Sequence, residues 1–188
     1  MDTAEITVTD EMRAYYKEVC RHNEIVQPQL IVFADKVRGI LGPKVQVIMM
    51  GSRAFTWKKS TNYIESDLEF GIIPAPGFSV EDAFADAKSN FEEWAKAEFP
   101  GDAVPPVQIT KAGLPYVSVE NYKMGPDFCN KFELCFQTEA QNLIIRENYL
   151  KHLASADDDR LAWYISTIRA CREDPEKYAE MKKWLRCL

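Results

Sequence analysis

The fold is decided by Val45-Gln-Val-Ile-Met-Met-Gly-Ser-Arg-Ala54, followed later in the chain by Ser66-Asp-Leu-Glu-Phe70. The first six residues of the former stretch are mostly apolar or β-branched and end at a glycine, which predicts a short buried strand. A glycine directly after a strand allows a sharp turn and lets a ligand approach the backbone closely. The sequence therefore predicts a strand, a glycine turn that opens a helix, and a second strand near Asp67.

The glycine turn carries the features of a phosphate-binding loop. Free N–H groups at the start of a helix form an anion site, and the hydroxyl of Ser52 adds a donor for phosphate oxygens. We therefore expect Gly51, Ser52 and Arg53 to bind the phosphates of a nucleotide. Lys58 and Lys59 follow in the same spacer, and we expect them to lie within reach of a triphosphate.

Asp67 and Glu69 are separated by one residue at the start of the second strand. Side chains alternate along a strand, so both carboxylates project from the same face and can share metal ions. An oxygen-only pair without histidine suits Mg²⁺ or Mn²⁺. A Gly-Ser turn or an acidic pair alone is commonly structural, but the two together in this order predict a metal-dependent phosphate site.

The two motifs together resemble the signature of the DNA-polymerase-β-like nucleotidyltransferase superfamily, in which G-[GS] precedes D-h-[DE]-h, with h hydrophobic. The resemblance puts Gly51 and Ser52 at the phosphate-binding positions and Asp67 and Glu69 at the metal-binding positions. It implies an α/β (α+β) core with a mixed, twisted sheet flanked by helices. It also implies a nucleoside triphosphate as substrate and Mg²⁺ or Mn²⁺ as cofactor. The spacer, residues 53–66, is slightly longer than is usual in that superfamily.

Members of this superfamily have a third carboxylate on a later strand, which acts as general base and metal ligand. Lys131-Phe-Glu-Leu-Cys-Phe136 predicts a strand that carries Glu133 between apolar residues. An acid in such a run is unusual unless it is paired, hydrogen-bonded or metal-bound. Glu120 in Val117-Ser-Val-Glu-Asn121 is the alternative.

Helix signals lie on both sides of these strands. A helix is predicted over residues 9–41, with a break or a second helix start at Pro28. Ser79 and Asp82 form a capping pair that predicts the start of a helix reaching about Glu98. Further strands are predicted at 107–110, 115–122 and 131–137, and helices from residue 139 onward with breaks at 155–158 and 174–175.

We expect residues 1–138 to form the nucleotidyltransferase-like core and residues 139–188 to form a C-terminal helical extension packed on it. The extension carries a second resemblance. Ile168-Arg169 and Asp174-Pro-Glu-Lys-Tyr-Ala-Glu-Met-Lys182 look like the ending of the GrpB branch of the same superfamily.

Composition restricts the partners. The chain has 29 Asp and Glu against 23 Lys and Arg, a net charge of −6, which disfavours binding to long nucleic acids. An acceptor that is a small molecule, a nucleotide or a protein side chain fits better, and a tRNA end reached by local basic residues stays open. Five scattered cysteines predict neither a disulfide framework nor a zinc site. The N-terminus lacks an apolar signal core and no apolar run could span a membrane, so we expect a cytoplasmic protein.

Two classes of function follow. The first is an enzyme that moves a nucleoside monophosphate from a nucleoside triphosphate, most commonly ATP, to a hydroxyl-type acceptor with release of pyrophosphate. The second is a catalytically silent nucleotide-binding or interaction module with the same fold.

Overall fold

The computed structural model describes residues 6–54, 62–101, 104–109, 113–128 and 130–186, with the backbone alone for residues 54, 152 and 182–186. In chain order, the helices and strands of these ranges are α1 (Asp10–Leu41), β1 (Val45–Met50), β2 (Leu68–Pro74), α2 (Val80–Glu98), β3 (Val107–Ile109), β4 (Pro115–Glu120), β5 (Lys131–Phe136), α3 (Glu139–Ser155), α4 (Asp158–Cys171) and α5 (Pro175–Arg186). A single 3-10 turn, Gly51–Ala54, follows β1. Among the helices of the described ranges, none has the length and apolar character needed to cross a membrane.

The chain forms two compact units, each assembled from separate segments. Val26–Gly51 and Asp67–Leu143 form one, called the sheet unit, while Met1–Ile25, Ser52–Ser66 and Ile144–Leu188 form the other, called the helical unit. The predicted domain boundary between residues 138 and 139 stays a prediction.

The sheet unit contains a five-stranded mixed sheet with the strand order β1-β2-β5-β4-β3. Strands β2 and β5 pair in parallel, and the other neighbouring pairs are antiparallel. The predicted α+β architecture with a mixed sheet flanked by helices is confirmed. β2 and β5 are neighbouring parallel strands inside the sheet. Residues far apart in sequence are therefore paired across them and face the same side of the sheet.

One face of this sheet is apolar and buried. On the two central strands it consists of Leu68, Phe70, Ile72, Phe132, Leu134 and Phe136. The ring of Phe33 on α1 covers part of this face, with its centroid 5.8 Å from that of Phe70 and 5.3 Å from that of Phe132. Helix α2 also packs on it, since Phe84 meets Phe136 edge to face at 5.3 Å. The alternating residues of β2 and β5 lie on the opposite face, which is polar around Glu69 and Glu133 and carries the buried Ile73 towards the end of β2; we call it the polar face.

Helix α1 is continuous through Pro28, so the predicted break is wrong. A proline inside a helix removes one backbone hydrogen bond and costs about 3 kcal/mol. Burial of α1 side chains on both sides of the proline, Val26, Leu30 and Phe33 among them, offsets that cost in the sheet unit. Tertiary packing has overridden the local signal.

The predicted start of α2 is confirmed. Ser79 has an extended backbone and its hydroxyl oxygen accepts a hydrogen bond from the backbone N–H of Asp82 at 3.1 Å. This bond satisfies one of the amides that have no partner within the first turn of the helix. It fixes where the helix covering the apolar face begins.

In the helical unit, the C-terminal helices enclose their own apolar cluster. Its buried members are Tyr16, Val19, Tyr63, Tyr149, Leu153, Ala156, Leu161, Ala162, Tyr164, Ile165 and Ile168. Asp157 caps α4 by accepting the amide of Arg160 at 2.8 Å, and Arg13 pairs with Asp159 through two nitrogens at 2.8 and 2.9 Å. The predicted C-terminal helical segment and its breaks are present.

Substitution of Phe70 tests the apolar face. Phe70 is fully buried and Val32 on α1 is 70% exposed. We expect Phe70→Ala to lower the free energy of unfolding by about 3–5 kcal/mol because it leaves a cavity. Val32→Ala should change it by less than about 0.5 kcal/mol. Denaturant unfolding measures both, and equal costs for the two variants would contradict this packing.

Candidate active site

Three carboxylates lie together on the polar face of the sheet unit. Asp67 immediately precedes β2, Glu69 lies in β2, and Glu133 lies in β5. Glu69 and Glu133 are direct partners in the parallel register, so their side chains share a face. Asp67 stands two residues before Glu69, which puts it on the same face. All three side chains are half-buried.

Lys131 completes this group and was not among the predicted site residues. Its ammonium Nζ lies 3.0 Å from Oε1 of Glu133 and 3.4 Å from Oδ2 of Asp67. The signal was present in the sequence, because Lys131 precedes Glu133 by two residues and must share its face. We call Asp67, Glu69, Glu133 and Lys131 the acidic cluster.

Lys131 keeps its positive charge in this environment. Burial lowers the pKa of Lys131, but the hydrogen bond and charge of Glu133 and the charge of Asp67 outweigh burial and leave the pKa raised. The side chain is therefore a cation throughout the neutral range. It partly neutralises carboxylates that would otherwise repel one another.

Gly51 lies against the cluster at the end of β1. Its φ is +66°, a conformation that L side chains rarely adopt. A Cβ at this position would lie 2.8 Å from Cδ of Glu69 and closer still to Oε2, so the Glu69 carboxylate fills the space that a side chain would need. The turn after β1 is as sharp as predicted, and it brings backbone next to the carboxylates.

Cys135 lies on the same face, two residues after Glu133. Burial, with added effects from the charges of Glu69 and Glu133, raises the pKa of the Cys135 thiol to about 11. The thiol is therefore protonated at neutral pH, and the thiolate is the nucleophilic form. Cys135 is not a nucleophile in this cluster.

In the helical unit, Ser52 and Arg53 contact residues of their own segment. The hydroxyl of Ser52 donates to Oδ1 of Asn62 at 3.1 Å. The buried guanidinium of Arg53 donates to the carbonyls of Ser66 and Ile64 at 2.9 and 3.0 Å. The structure thus gives Arg53 a role in holding the segment that leads to β2.

A phosphate contact by Arg53 or Ser52 stays a prediction. Lys58 and Lys59, predicted to reach the triphosphate, lie outside the described residues.

The strand register distinguishes the two candidates for the third carboxylate. Glu133 is the direct partner of Glu69, whereas Glu120 is the partner of Lys131 in the antiparallel pair of β4 and β5. Glu120 also shares the polar face, but it is exposed at the end of β4. The geometry favours Glu133 as the acid that acts with Asp67 and Glu69.

The donor atoms of this cluster suit a divalent metal ion, but their spacing in the structure does not. Three carboxylates on one face supply the oxygen ligands that Mg²⁺ and Mn²⁺ prefer. Within the ranges that the structure describes, however, no three or more His, Cys, Asp or Glu side chains are arranged to hold a metal ion. Asp67 and Glu133 are instead placed so that each forms an ion pair with the ammonium of Lys131.

Comparison with known proteins places the fold. No protein-family model matches the chain, and no curated protein matches its sequence. It is similar in structure to the Cid1 poly(U) polymerase with MgGTP bound, with a TM-score of 0.51 and 11% identity over 87% of this chain and 48% of that one. It is also similar to Cid1 in complex with its short product ApU, with a TM-score of 0.52 and 10% identity over 91% and 52% of the two chains.

A chain of the GLD-2/RNP-8 complex gives a TM-score of 0.51 and 11% identity over 94% of this chain and 59% of that one. The chain thus spans about half the length of the solved structures it matches. Identities this low show a shared fold alone, an α+β fold with a mixed sheet flanked by helices. The position-by-position signature and the GrpB-like ending stay predictions.

The close approach of Gly51 and Glu69 can be tested by adding one methyl group. Gly51→Ala should destabilise the protein by about 1–3 kcal/mol more than Gly77→Ala, because overpacking is added to the strain of a positive φ. Gly77 is the matched control, since its φ is +90° and no atom lies within 4 Å of the position that the new methyl group would take. In a Glu69→Ala background the excess cost should shrink. Urea unfolding measures it, and equal costs for the two glycines would refute the overlap.

Proposed function

We propose that this protein is a metal-dependent nucleotidyltransferase. It moves a nucleoside monophosphate from a nucleoside triphosphate to a hydroxyl-type acceptor and releases pyrophosphate. The observation that carries the proposal is the placement of Asp67, Glu69 and Glu133 on one face of the sheet, beside the turn at Gly51. The likeness of the fold to the Cid1 poly(U) polymerase supports the same class of reaction.

In this proposal Asp67 and Glu69 hold the metal ions, and Glu133 contributes a further ligand. Their oxygens are hard donors on a rigid sheet, which suits Mg²⁺ or Mn²⁺ together with oxygens of the substrate phosphates. Bound Mg²⁺ or Mn²⁺ would neutralise charge on the phosphates and orient them. MgGTP in the Cid1 structure supports a magnesium nucleotide as the ligand class.

Glu133 is also the proposed general base. The acceptor oxygen attacks the α-phosphorus while its proton passes to the Glu133 carboxylate. The bond between the α-phosphorus and its bridging oxygen breaks, and pyrophosphate carries away the electron pair. The ammonium of Lys131 lies 3.0 Å from Oε1 of Glu133, so the proton would pass to the other carboxylate oxygen unless Lys131 moves away first.

The backbone at Gly51 is the proposed contact for the phosphates. Glycine lets phosphate oxygens approach main-chain N–H groups where a side chain would block them. The Glu69 carboxylate fills the space on the Cβ side of Gly51, so the phosphates would have to approach the main chain from another side, next to the metal ligands. Ser52, Lys58 and Lys59 remain predicted further contacts.

The acceptor and the nucleobase of the triphosphate are more specific parts of the proposal. The product ApU of Cid1 makes a nucleotide or an RNA end the first acceptor class to test. The net charge of −6 favours a short contact over a long nucleic-acid groove. Small-molecule and protein acceptors stay in the test set. Among triphosphates, ATP is tested alongside UTP, for which Cid1 is selective.

Lys131 supports a second candidate function, a catalytically silent nucleotide-binding module. Its ammonium already occupies the space between Asp67 and Glu133. A protein that used this ion pair permanently would keep the fold without holding catalytic metals. Metal-dependent transfer separates the two candidates, because a silent module would bind a triphosphate and release no pyrophosphate.

The reaction can be tested with each of the four triphosphates labelled at the α-phosphate. With Mg²⁺ or Mn²⁺, we expect label to pass to a nucleotide, an RNA end or another acceptor while pyrophosphate is released. Asp67→Asn and Glu69→Gln should each reduce transfer by at least about 10²-fold, because each removes charge that the metal ions need. Glu93→Gln, an exposed change on α2, is the control. Label transfer that survives in both variants would refute the assignment.

Glu133→Gln tests the base separately from binding. The amide keeps the volume of the carboxylate, so triphosphate affinity should stay within about threefold while transfer falls by about 10²- to 10⁴-fold. Calorimetry and single-turnover kinetics measure the two quantities. If Glu120→Gln stops the chemical step and Glu133→Gln does not, the base has been assigned to the wrong carboxylate.

A further inference from the structure

We propose that Lys131 is a built-in counterion that competes with the divalent metal. In the structure its ammonium joins Asp67 and Glu133, and binding of a divalent metal would move it across to Glu120 on the neighbouring strand. The inference rests on the proposed function to the extent that the metal belongs in this cluster. It assigns metal-dependent roles to Lys131 and Glu120, neither of which is a metal ligand in the proposed reaction.

The first position of Lys131 follows from the ion-pair geometry. The ammonium contacts two carboxylates that come from β5 and from the segment just before β2. The side chains of Lys131, Asp67 and Glu133 are 37%, 29% and 23% exposed, so water screens these contacts only partly. A cation held there lowers the repulsion among three carboxylates on one face of the sheet.

The second position follows from the strand register. Glu120 is the direct partner of Lys131 across the antiparallel pair of β4 and β5. Directly opposite residues share a face, with Cβ atoms about 4.5–5.5 Å apart. A lysine side chain has a flexible four-carbon stem, so rotation about its own bonds is enough to bring the ammonium to the Glu120 carboxylate.

The first lysine position excludes the metal ion from the acidic cluster, and the second position permits it to bind. A dication and an ammonium cannot share the oxygens of Asp67 and Glu133 without strong repulsion. With Lys131 turned to Glu120, those oxygens are released and the ammonium still has a counterion. The metal concentration at which the cluster fills therefore depends on the balance between the two lysine positions.

The test measures Mn²⁺ affinity without nucleotide, by electron paramagnetic resonance of free Mn²⁺. We expect Lys131→Met to bind Mn²⁺ about three- to tenfold more tightly than the parent, because the competing charge is gone. Lys44→Met is the matched control. Lys44 is 36% exposed and pairs with Asp86 at 3.1 Å elsewhere in the sheet unit, so this variant removes the same charge from a similar setting. Its Mn²⁺ affinity should stay within about twofold of the parent.

The second lysine position is tested by a double-mutant cycle. Glu120→Gln should weaken Mn²⁺ binding about two- to threefold, because the displaced ammonium loses its partner. In the Lys131→Met background that effect should vanish. If Glu120→Gln weakens binding equally in both backgrounds, Glu120 acts through its charge alone and the movement to Glu120 is wrong.

The competition is overturned if Lys131→Met and Lys44→Met bind Mn²⁺ equally, or if no variant binds it. Lys131→Gln, which is also uncharged, repeats the measurement should the methionine variant misfold, as checked by circular dichroism. The Mn²⁺ readout is independent of transfer. Tighter binding in Lys131→Met without label transfer by the parent would retain this inference and refute the proposed enzyme.

Discussion

The parallel pairing of β2 with β5 is the constraint on which the sheet unit depends. It sets Phe70 opposite Leu134 on the buried face and Glu69 opposite Glu133 on the polar face. A shift of one residue would bury the acids and expose the aromatic core. Burial of the apolar face therefore fixes the register, and the register in turn brings together the carboxylates of the proposed site.

This dependence separates stability from chemistry within the same two strands. On β5, alternating residues either fill the core beneath α1 and α2 or stand on the polar face, while on β2 the face of Glu69 also carries the buried Ile73. Like charges on one face oppose folding, and Lys131 reduces that cost. A divalent ion that replaces Lys131 would supply a stronger counter-charge, so site occupancy and stability of the sheet unit are linked.

Local signals were sufficient to predict the elements and the acids. The β-branched run before Gly51 and the alternation around Glu69 specify strands and faces, and Ser79 marks the start of a helix. The features that escaped prediction depend on tertiary contacts. Continuity of α1 through Pro28 needs the burial of its neighbours. The partners of Arg53 include backbone carbonyls, which leave no trace in side-chain patterns, and the side chain of Asn23, which is 30 residues away in the chain. Lys131 was identifiable by its spacing from Glu133, but its pairing with Asp67 required the β2–β5 register.

The proposed chemistry depends on metal binding by Asp67 and Glu69. Anomalous diffraction at the manganese edge, from crystals grown with Mn²⁺ and a non-hydrolysable triphosphate, can detect it. We expect a manganese peak about 2.0–2.2 Å from carboxylate oxygens of Asp67 and Glu69, with phosphate oxygens among its ligands. A triphosphate bound without manganese at this cluster, with Lys131 still joining Asp67 to Glu133, would contradict it.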